Sequence, residues 1–260
     1  MRVTFLGTGA AGGVPLFGCS CRACVRARLH KARVRLPCSA LVETAHSRIL
    51  LDAGLTDLHE RFAPGDLDAI VLTHFHPDHV QGLLHLRWGI GDRIPVCCPA
   101  DPEGCADLYK HPGLLDFRAL TALVPFMAGD LKLTPLPLNH SKPTLGYAIE
   151  SADGCRFAYL TDTLGLPAAS AKFLADWQAD GLALDCSYPP HAEPKGHNDW
   201  SAALAVIAQV KPARTWFTHI SHKLDAWLLD TQTIPAGLTI AGDGEQIEFT
   251  ARAYQGRHSE

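Results

Sequence analysis

One short stretch carries three imidazoles and a carboxylate within six positions, a combination that can bind metal ions. It reads Thr73-His74-Phe75-His76-Pro77-Asp78-His79. The apolar run 69–72 before it predicts a buried strand. Residues two apart on an extended chain point to the same side, so His74 and His76 can bind one cation together. The proline cannot continue a central strand, so the chain is expected to turn and to present Asp78 and His79 to a second cation. Imidazole and carboxylate are the ligands that borderline divalent metals take.

The same arrangement recurs along the chain, where apolar strands end in residues that could bind a metal. Three such residues follow the first cluster: His140, Asp162 and His219. Side chains at the loop end of a sheet are well placed to form a site. Asp52 also ends a buried apolar strand, at 48–51, where an unpartnered carboxylate would be costly. It could cap a turn, or it could orient a metal-bound histidine from behind.

Three thiols lie within six residues near the N-terminus, at Cys19, Cys21 and Cys24. They suit soft tetrahedral coordination, and a structural zinc needs a fourth ligand. The candidates for that ligand are Cys38, His30 and His222. A zinc-binding loop is therefore expected at about residues 18–38.

Two loops have compositions that favour a site. The glycine-rich loop 7–13 follows the first predicted strand, but no clear amphipathic helix follows it. A tight loop that lets the backbone approach a site is therefore favoured over a dinucleotide-binding fingerprint. The polar loop between Ser187 and Trp200 carries His191 and His197, and we predict that it forms a flap over a site.

The apolar periodicity predicts a mixed helix and strand chain that folds as one domain over residues 1–260. Helical spacing predicts helices over 80–88, 168–177 and 201–209. Strands are predicted at 39–43, 48–51 and 131–138. The prolines in the last of these predict an edge strand, because proline cannot donate to a central ladder.

Length and composition favour a compact cytoplasmic protein with neither a nucleic-acid surface nor a membrane span. Of the 260 residues 47% are hydrophobic and 19% charged, below the roughly 25% charged residues of typical domains. The net charge is −4 and the pI is near 6.4, whereas nucleic-acid-binding domains usually have a pI above ~9. No apolar run approaches the ~20 residues that span a bilayer, and no secretory leader is visible. The nine unevenly spaced cysteines favour a reducing compartment.

The histidine and aspartate set as a whole resembles the motif set of the metallo-β-lactamase superfamily. The resemblance implies an α/β (α+β) fold, a four-layered αββα sandwich with a dinuclear metal site at one edge. It assigns three residues to one ion: His74, His76 and His140. It assigns three to the other ion: Asp78, His79 and His219. It makes Asp162 the bridging ligand and favours the orienting role for Asp52.

A closer resemblance, over nearly the whole chain, is to the PhnP-type phosphodiesterases of the carbon–phosphorus lyase pathway. The segments that carry it are 18–24, 73–82, 86–89, 110–117, 135–142 and 218–222. It implies hydrolysis of 5-phosphoribosyl 1,2-cyclic phosphate to ribose 1,5-bisphosphate during phosphonate catabolism. It also implies a structural zinc held by the three cysteines and His222, which makes His222 rather than Cys38 or His30 the fourth ligand. The catalytic histidine in the polar loop of this family matches His197.

The same resemblance implies the cofactors and a mechanism. We expect two divalent cations at the active site, Mn²⁺ first with Zn²⁺ among the alternatives, and one structural Zn²⁺. A hydroxide that bridges the two cations would attack phosphorus in line and expel the ribose O2, because two metal ions lower the pKa of bound water and neutralise phosphoryl charge. His197 would donate a proton or contact the phosphate, and Asp78 could assist while bound to metal.

Two other functions compete with this hypothesis. A tRNA 3′-processing ribonuclease of the same superfamily would need a basic arm to hold RNA, and the sequence contains no such Lys/Arg-rich insertion. A non-catalytic metal-binding interaction protein leaves the complete set of ligands unexplained. We therefore expect a small phosphorylated sugar as substrate, with neither nucleic acid nor membrane as partner. The PhnP-type family also suggests a homodimer.

Overall fold

Two seven-stranded sheets form the middle of the molecule, in a computed structural model that describes residues 1–191, 196–231 and 234–250. The strands are β1 (Arg2–Gly7), β2 (Ser39–Glu43), β3 (Arg48–Leu51), β4 (Ala69–Val71), β5 (Ile94–Pro99), β6 (Leu115–Leu120), β7 (Phe126–Ala128), β8 (Leu131–Pro137), β9 (Leu145–Glu150), β10 (Arg156–Leu160), β11 (Gly181–Asp185), β12 (Thr215–Thr218), β13 (Leu238–Ile240) and β14 (Gln246–Glu248). The helices are α1 (Arg22–Leu29), α2 (Leu58–Arg61), α3 (Pro77–Val80), α4 (Leu83–Leu86), α5 (Ala106–Lys110), α6 (Ala168–Trp177), α7 (Trp200–Val210) and α8 (His222–Leu228), with a 3₁₀ turn at Lys31–Arg33.

Each sheet is antiparallel at one side and parallel at the other. The first has the order β14-β1-β2-β3-β4-β5-β6, and the second has the order β13-β12-β11-β10-β9-β8-β7. Strands β3 to β6 run parallel to one another, and so do β10 to β13. Parallel strands present their carboxyl ends at the same edge of a sheet, so the loops that follow them gather there.

Alternation of apolar residues explains the four layers. In β10, Phe157 and Tyr159 lie in the core between the two sheets, while Ala158 and Leu160 face the helical layer that contains α6 and α7. The first sheet is likewise covered by a separate apolar cluster that includes residues of α2, α3, α4 and α5. Strand side chains alternate faces, so a strand that is apolar throughout must be covered on both sides. The αββα sandwich that the resemblance implies is confirmed.

Several predicted elements coincide with observed ones. The strands at 39–43 and 48–51 are β2 and β3, and the helix at 168–177 is α6. The helix predicted over 80–88 is wrong in its limits, because the chain forms two short helices, α3 and α4. The N–H group of Gly82, between them, donates to the carbonyl oxygen of Ala53 at 2.9 Å, so a tertiary hydrogen bond replaces one of the helix.

The prediction that 131–138 forms an edge strand is also wrong. β8 lies between β7 and β9. However, β7 pairs only with residues 131–133 of β8. Pro135 and Pro137 lie beyond this pairing, so they interrupt no hydrogen bonds with β7.

Within the described residues, no helix is long and apolar enough to cross a membrane.

Candidate active site

The loops that follow four strands bring all seven predicted active-site ligands together. His74, His76, Asp78 and His79 follow β4, and the remaining three follow β8, β10 and β12: His140, Asp162 and His219. Their ligand atoms form overlapping groups in which the atoms of each group lie within 4.8 Å of one another. All seven residues therefore lie at one edge of the molecule, where strands of both sheets end.

Three histidines form the first group. His74 Nε2 lies 2.8 Å from His76 Nδ1, and His140 Nε2 lies 3.1 Å from the same nitrogen. Burial lowers the pKa of His74 well below its usual value, and burial also lowers the pKa values of His76 and His140. Neutral imidazoles present lone pairs, as metal ligation requires. The group has the donor set of a cation site.

The second group comprises Asp78, His79 and His219. The Oδ2 atom of Asp78 lies 3.3 Å from His79 Nε2 and 3.7 Å from His219 Nε2. Both Nε2 atoms are buried, and among the described residues neither has a hydrogen-bond partner. Buried polar atoms without partners are rare, and here they surround a carboxylate, which is the arrangement of ligands around a shared cation.

Asp162 lies between the two groups. Its Oδ1 atom is 3.8 Å from His140 Nε2 and 3.3 Å from His219 Nε2, and its Oδ2 atom is 3.2 Å from His79 Nε2. The side chain is 2% exposed. The Asp162 carboxylate therefore lies within 3.8 Å of histidines in both groups and could serve as a ligand in either.

The charges of this cluster show what it requires. Burial opposes ionisation of Asp162, but the neighbouring His219 and His79 outweigh it and hold the pKa of Asp162 well below its usual value. In turn, burial opposes protonation of His219, but Asp162 and Asp78 outweigh it and raise the pKa of His219 to about 9. The same balance, with Asp162 and Asp52 as the acids, raises the pKa of His79 well above its usual value. Buried carboxylates thus require positive charge, which either protons or metal ions can supply.

Asp52 holds the cluster from behind. Its Oδ2 atom lies 2.9 Å from His79 Nδ1, and its Oδ1 atom accepts a hydrogen bond from the N–H of Thr73 at 2.8 Å. The hydroxyl of Thr73 lies 3.0 Å from this carboxylate and 3.0 Å from His74 Nδ1. Of the two roles that the sequence left open for Asp52, the geometry supports orientation of a histidine, because Nδ1 is occupied and Nε2 is left for an ion.

His197 lies beside the cluster and is held by a second carboxylate. His197 Nδ1 is 2.9 Å from Asp185 Oδ2, and its ring stacks on that of His219 with centroids 4.7 Å apart. Asp185 is fully buried and also accepts hydrogen bonds from the N–H of Thr163 and the hydroxyl of Ser187. His197 could also complete a metal group with His140 and Asp162, so metal analysis of a variant is needed to separate the two roles.

Sequence reasoning assigned no role to Asp185, Ser187 or Gly196. The Ser187 hydroxyl lies 2.8 Å from His219 Nδ1, and the carbonyl oxygen of Gly196 lies 2.9 Å from His140 Nδ1. Asp185 ends an apolar strand just as Asp52 does, which is the signal that could have identified it. The flap predicted between Ser187 and Trp200 lies partly outside the described residues, at 192–195.

Three site residues have backbone in the left-handed region. Asp52, Asp162 and His219 have φ values of 56°, 61° and 57°. This conformation costs an L-residue roughly 1–2 kcal/mol, and such residues cluster at functional sites because the surrounding structure must compensate. The turns aim these side chains back across the sheet edge.

The structure brings the four residues predicted to bind structural zinc close together. Cys19, Cys21, Cys24 and His222 have ligand atoms within 4.8 Å of one another. His222 Nδ1 lies 3.3 Å from Cys19 Sγ and 3.6 Å from Cys21 Sγ. Burial raises the pKa of Cys24 to about 11, so its thiolate would need a cation beside it. Three sulfurs and one imidazole are a common donor set for structural zinc.

One short segment connects the two clusters. Ser221, between His219 and His222, caps α8 by accepting a hydrogen bond from the N–H of Leu224 at 3.2 Å. Its hydroxyl donates to the carbonyl oxygen of Ser187. The cysteine cluster therefore anchors the same turn that presents His219 to the active site.

The chain is similar in sequence to several known proteins. A family model described as a beta-lactamase superfamily domain matches residues 47–220. The chain is 29% identical to an octanoyltransferase from Porphyromonas gingivalis, over 94% of this chain and 51% of that protein. It is 32% identical to a ribonuclease Z from Methanopyrus kandleri, over 43% of each chain. The chain thus spans about half the length of these two relatives.

Two further proteins match along their whole length. A coenzyme PQQ synthesis protein B from Methylorubrum extorquens is 33% identical, over 96% of this chain and 100% of that protein. The crystal structure of a diphosphatase from the PhnP family is 30% identical, with a TM-score of 0.81, and covers 96% of this chain and 98% of its own.

Proposed function

This chain belongs to the metallo-β-lactamase superfamily, as a protein of the PhnP type, and on that premise we propose that it is a metal-dependent phosphodiesterase. As a member of this superfamily it is a hydrolase. The proposed reaction adds water to 5-phosphoribosyl 1,2-cyclic phosphate and breaks the bond between phosphorus and the ribose O2. The product is ribose 1,5-bisphosphate.

One observation carries the proposal: the Nε2 atoms of His79 and His219 are buried without a hydrogen-bond partner among the described residues. Both lie within 3.7 Å of Asp78. An ion held by these three residues would satisfy both nitrogens and the carboxylate together. The histidine group around His76 fits a second ion, and Asp162 fits the position between them.

Ions in these positions supply neutralisation of phosphoryl charge and a nucleophile from water at neutral pH. The protein must still orient the ester and provide a proton for the leaving oxygen. His197 fits this task, because Asp185 accepts a hydrogen bond from Nδ1 and leaves Nε2 free to carry the mobile proton. The same hydrogen bond fixes the orientation of the ring from which Nε2 would donate.

The proton balance of this step is simple. Water gives its oxygen to phosphorus, the bond from phosphorus to O2 breaks, and His197 Nε2–H protonates the O2 alkoxide. The proton released from water restores the imidazolium. The acid is needed because a sugar alkoxide is a poor leaving group.

The decisive experiment is product identification by phosphorus NMR with the purified, metal-loaded protein. We expect 5-phosphoribosyl 1,2-cyclic phosphate to give ribose 1,5-bisphosphate, at a higher kcat/KM than a 2′,3′-cyclic nucleotide. A His197→Ala variant should lose at least about tenfold in kcat with an unchanged metal content. A normal kcat would exclude His197 as the acid, and loss of one ion would make it a ligand instead.

Other outcomes would select a different function. Cleavage of a tRNA precursor with no action on the cyclic ester would favour the nuclease, the activity named for the ribonuclease Z relative. Cleavage of a diphosphate bond alone would match the name of the PhnP-family neighbour. No hydrolysis of any phosphoric ester with full metal loading would favour an interaction protein. The homodimer stays a prediction.

A further inference from the structure

A cavity of about 300 Å³ borders the metal cluster on one side. Its lining includes His197 and His219 of the active site, the glycine-rich loop at 10–13, Tyr188 and Lys223. The volume is at the lower end of the about 300–1,000 Å³ typical of small-molecule sites. No carboxylate is present among its described lining residues. The cavity is thus continuous with the place where the ester would react, and it favours an anion.

Lys223 is a cationic group without a partner in this part of the molecule. It is exposed and lines the cavity, and no ion pair or hydrogen bond joins it to any side chain in the described ranges. Nearby arginines behave differently: Arg22 pairs with Asp230, and Arg26 with Asp225. The charge of Lys223 is therefore available to a ligand.

The glycine-rich loop adds backbone donors. A turn brings the N–H of Gly13 to the carbonyl oxygen of Ala10 at 2.7 Å, and the N–H of Ala10 donates to Ile220. Among the described residues, the N–H groups of Ala11 and Gly12 at the tip of this turn find no acceptor. Free backbone N–H groups in a turn bind anions such as phosphate. The loop that the sequence predicts to approach a site does so in this cavity.

We propose that this cavity is the subsite for a phosphomonoester dianion, the 5-phosphate of the substrate, bound by Lys223 and the N–H groups of Ala11 and Gly12. The inference rests on the proposed function and deepens it. A substrate with two phosphates needs two regions of positive charge, one at the ions and one beyond them. The net charge of the chain is −4, so a local cation is required to draw the second phosphate in.

The test compares one cyclic ester with and without the 5-phosphate, 5-phosphoribosyl 1,2-cyclic phosphate and ribose 1,2-cyclic phosphate. Lys223→Gln should lower kcat/KM for the phosphorylated ester about tenfold or more and leave the other within about twofold, since a charged hydrogen bond is lost only with the first. Lys223→Arg should retain the preference for the ester that carries the 5-phosphate. Lys172→Gln removes the same charge from an exposed lysine on α6, which is paired with Asp176. This control should leave kcat/KM for both esters unchanged.

Each outcome decides the matter. If Lys223→Gln slows both esters equally, or neither, the subsite is refuted while the phosphodiesterase stands. If the unmodified protein hydrolyses neither ester, the proposed function fails, and calorimetric binding of ribose 5-phosphate to the metal-loaded protein decides the subsite alone. Weaker binding by the Lys223→Gln variant would support it, and equal affinity would overturn it.

Discussion

Replacement of Asp185 by asparagine isolates the contribution of the carboxylate that holds His197. The substitution preserves the shape of a fully buried side chain. It exchanges one acceptor oxygen for an N–H₂ group, which cannot accept the hydrogen bond that His197 Nδ1 makes at 2.9 Å. Oδ2 also accepts a hydrogen bond from the N–H of Thr163, and Oδ1 accepts one from the hydroxyl of Ser187. Either placement of the amide removes the negative charge beside His197, so the hydrogen bond between the imidazole and a carboxylate is lost in both.

The expected magnitude follows from this contact. A hydrogen bond to a charged group contributes about 1.5–3 kcal/mol. Since about 1.4 kcal/mol corresponds to a factor of ten in rate, kcat should fall roughly 10- to 150-fold. The loss should appear in kcat rather than KM, because Asp185 acts through His197 in the proton transfer and contacts no substrate.

The assay is hydrolysis of bis(p-nitrophenyl) phosphate and of the cyclic ribosyl ester, with the metal content measured on the same preparation. The matched control is Asp199→Asn, also a buried aspartate. Asp199 caps α7 by accepting from the N–H of Ala202 at 2.8 Å, a role that asparagine fills equally well. The control should therefore retain full activity. A kcat for Asp185→Asn within a factor of about two of the parent, with metal retained, would refute the positioning role.

Three further substitutions test the metal sites and their support. Asp162→Ala should leave at least one active-site ion unbound, which metal analysis of the purified variant would detect; full occupancy would contradict its place between the groups. Cys21→Ala should remove about one zinc per chain and lower the melting temperature by several degrees, because structural zinc contributes folding free energy; an unchanged zinc count and melting point would contradict the site. Gly54→Ala would place a Cβ atom 1.6 Å from the carbonyl oxygen of Asp78. Denaturant unfolding should therefore show a free energy of unfolding lower by at least about 1–3 kcal/mol, and the variant should bind metal more weakly. Gly242→Ala meets no atom within 4 Å and serves as its control; equal stability of the two variants would argue against the close approach.

The sequence signals that predict the metal-binding residues are local. His74, His76 and Asp78 are close neighbours in the chain, so strand geometry and one proline suffice to predict their directions. The strands were predictable for the same reason, since β2, β3 and β10 are short apolar runs. Assignment of His222 to the cysteine cluster came from the resemblance to a family, since the residues alone left Cys38 and His30 open.

Other features depend on contacts between residues far apart in the chain. The interruption between α3 and α4 follows from a hydrogen bond from Gly82 to Ala53, and the paired neighbour of β8 covers only its first residues. Asp185 looks like any strand-end carboxylate until the fold places His197 at 2.9 Å. Such long-range contacts produce no regular spacing in the sequence from which they could be predicted.

By itself, therefore, the sequence determined which residues can bind metal and which strands deliver them, because spacing and apolar alternation are short-range properties. The tertiary structure decided which imidazole nitrogens lack a hydrogen-bond partner among the described residues, which carboxylate holds His197, and which lysine lines the cavity. Each of these depends on how two sheets meet at one edge. That meeting brings side chains more than a hundred residues apart within hydrogen-bonding distance, as Cys19 and His222 show at 3.3 Å.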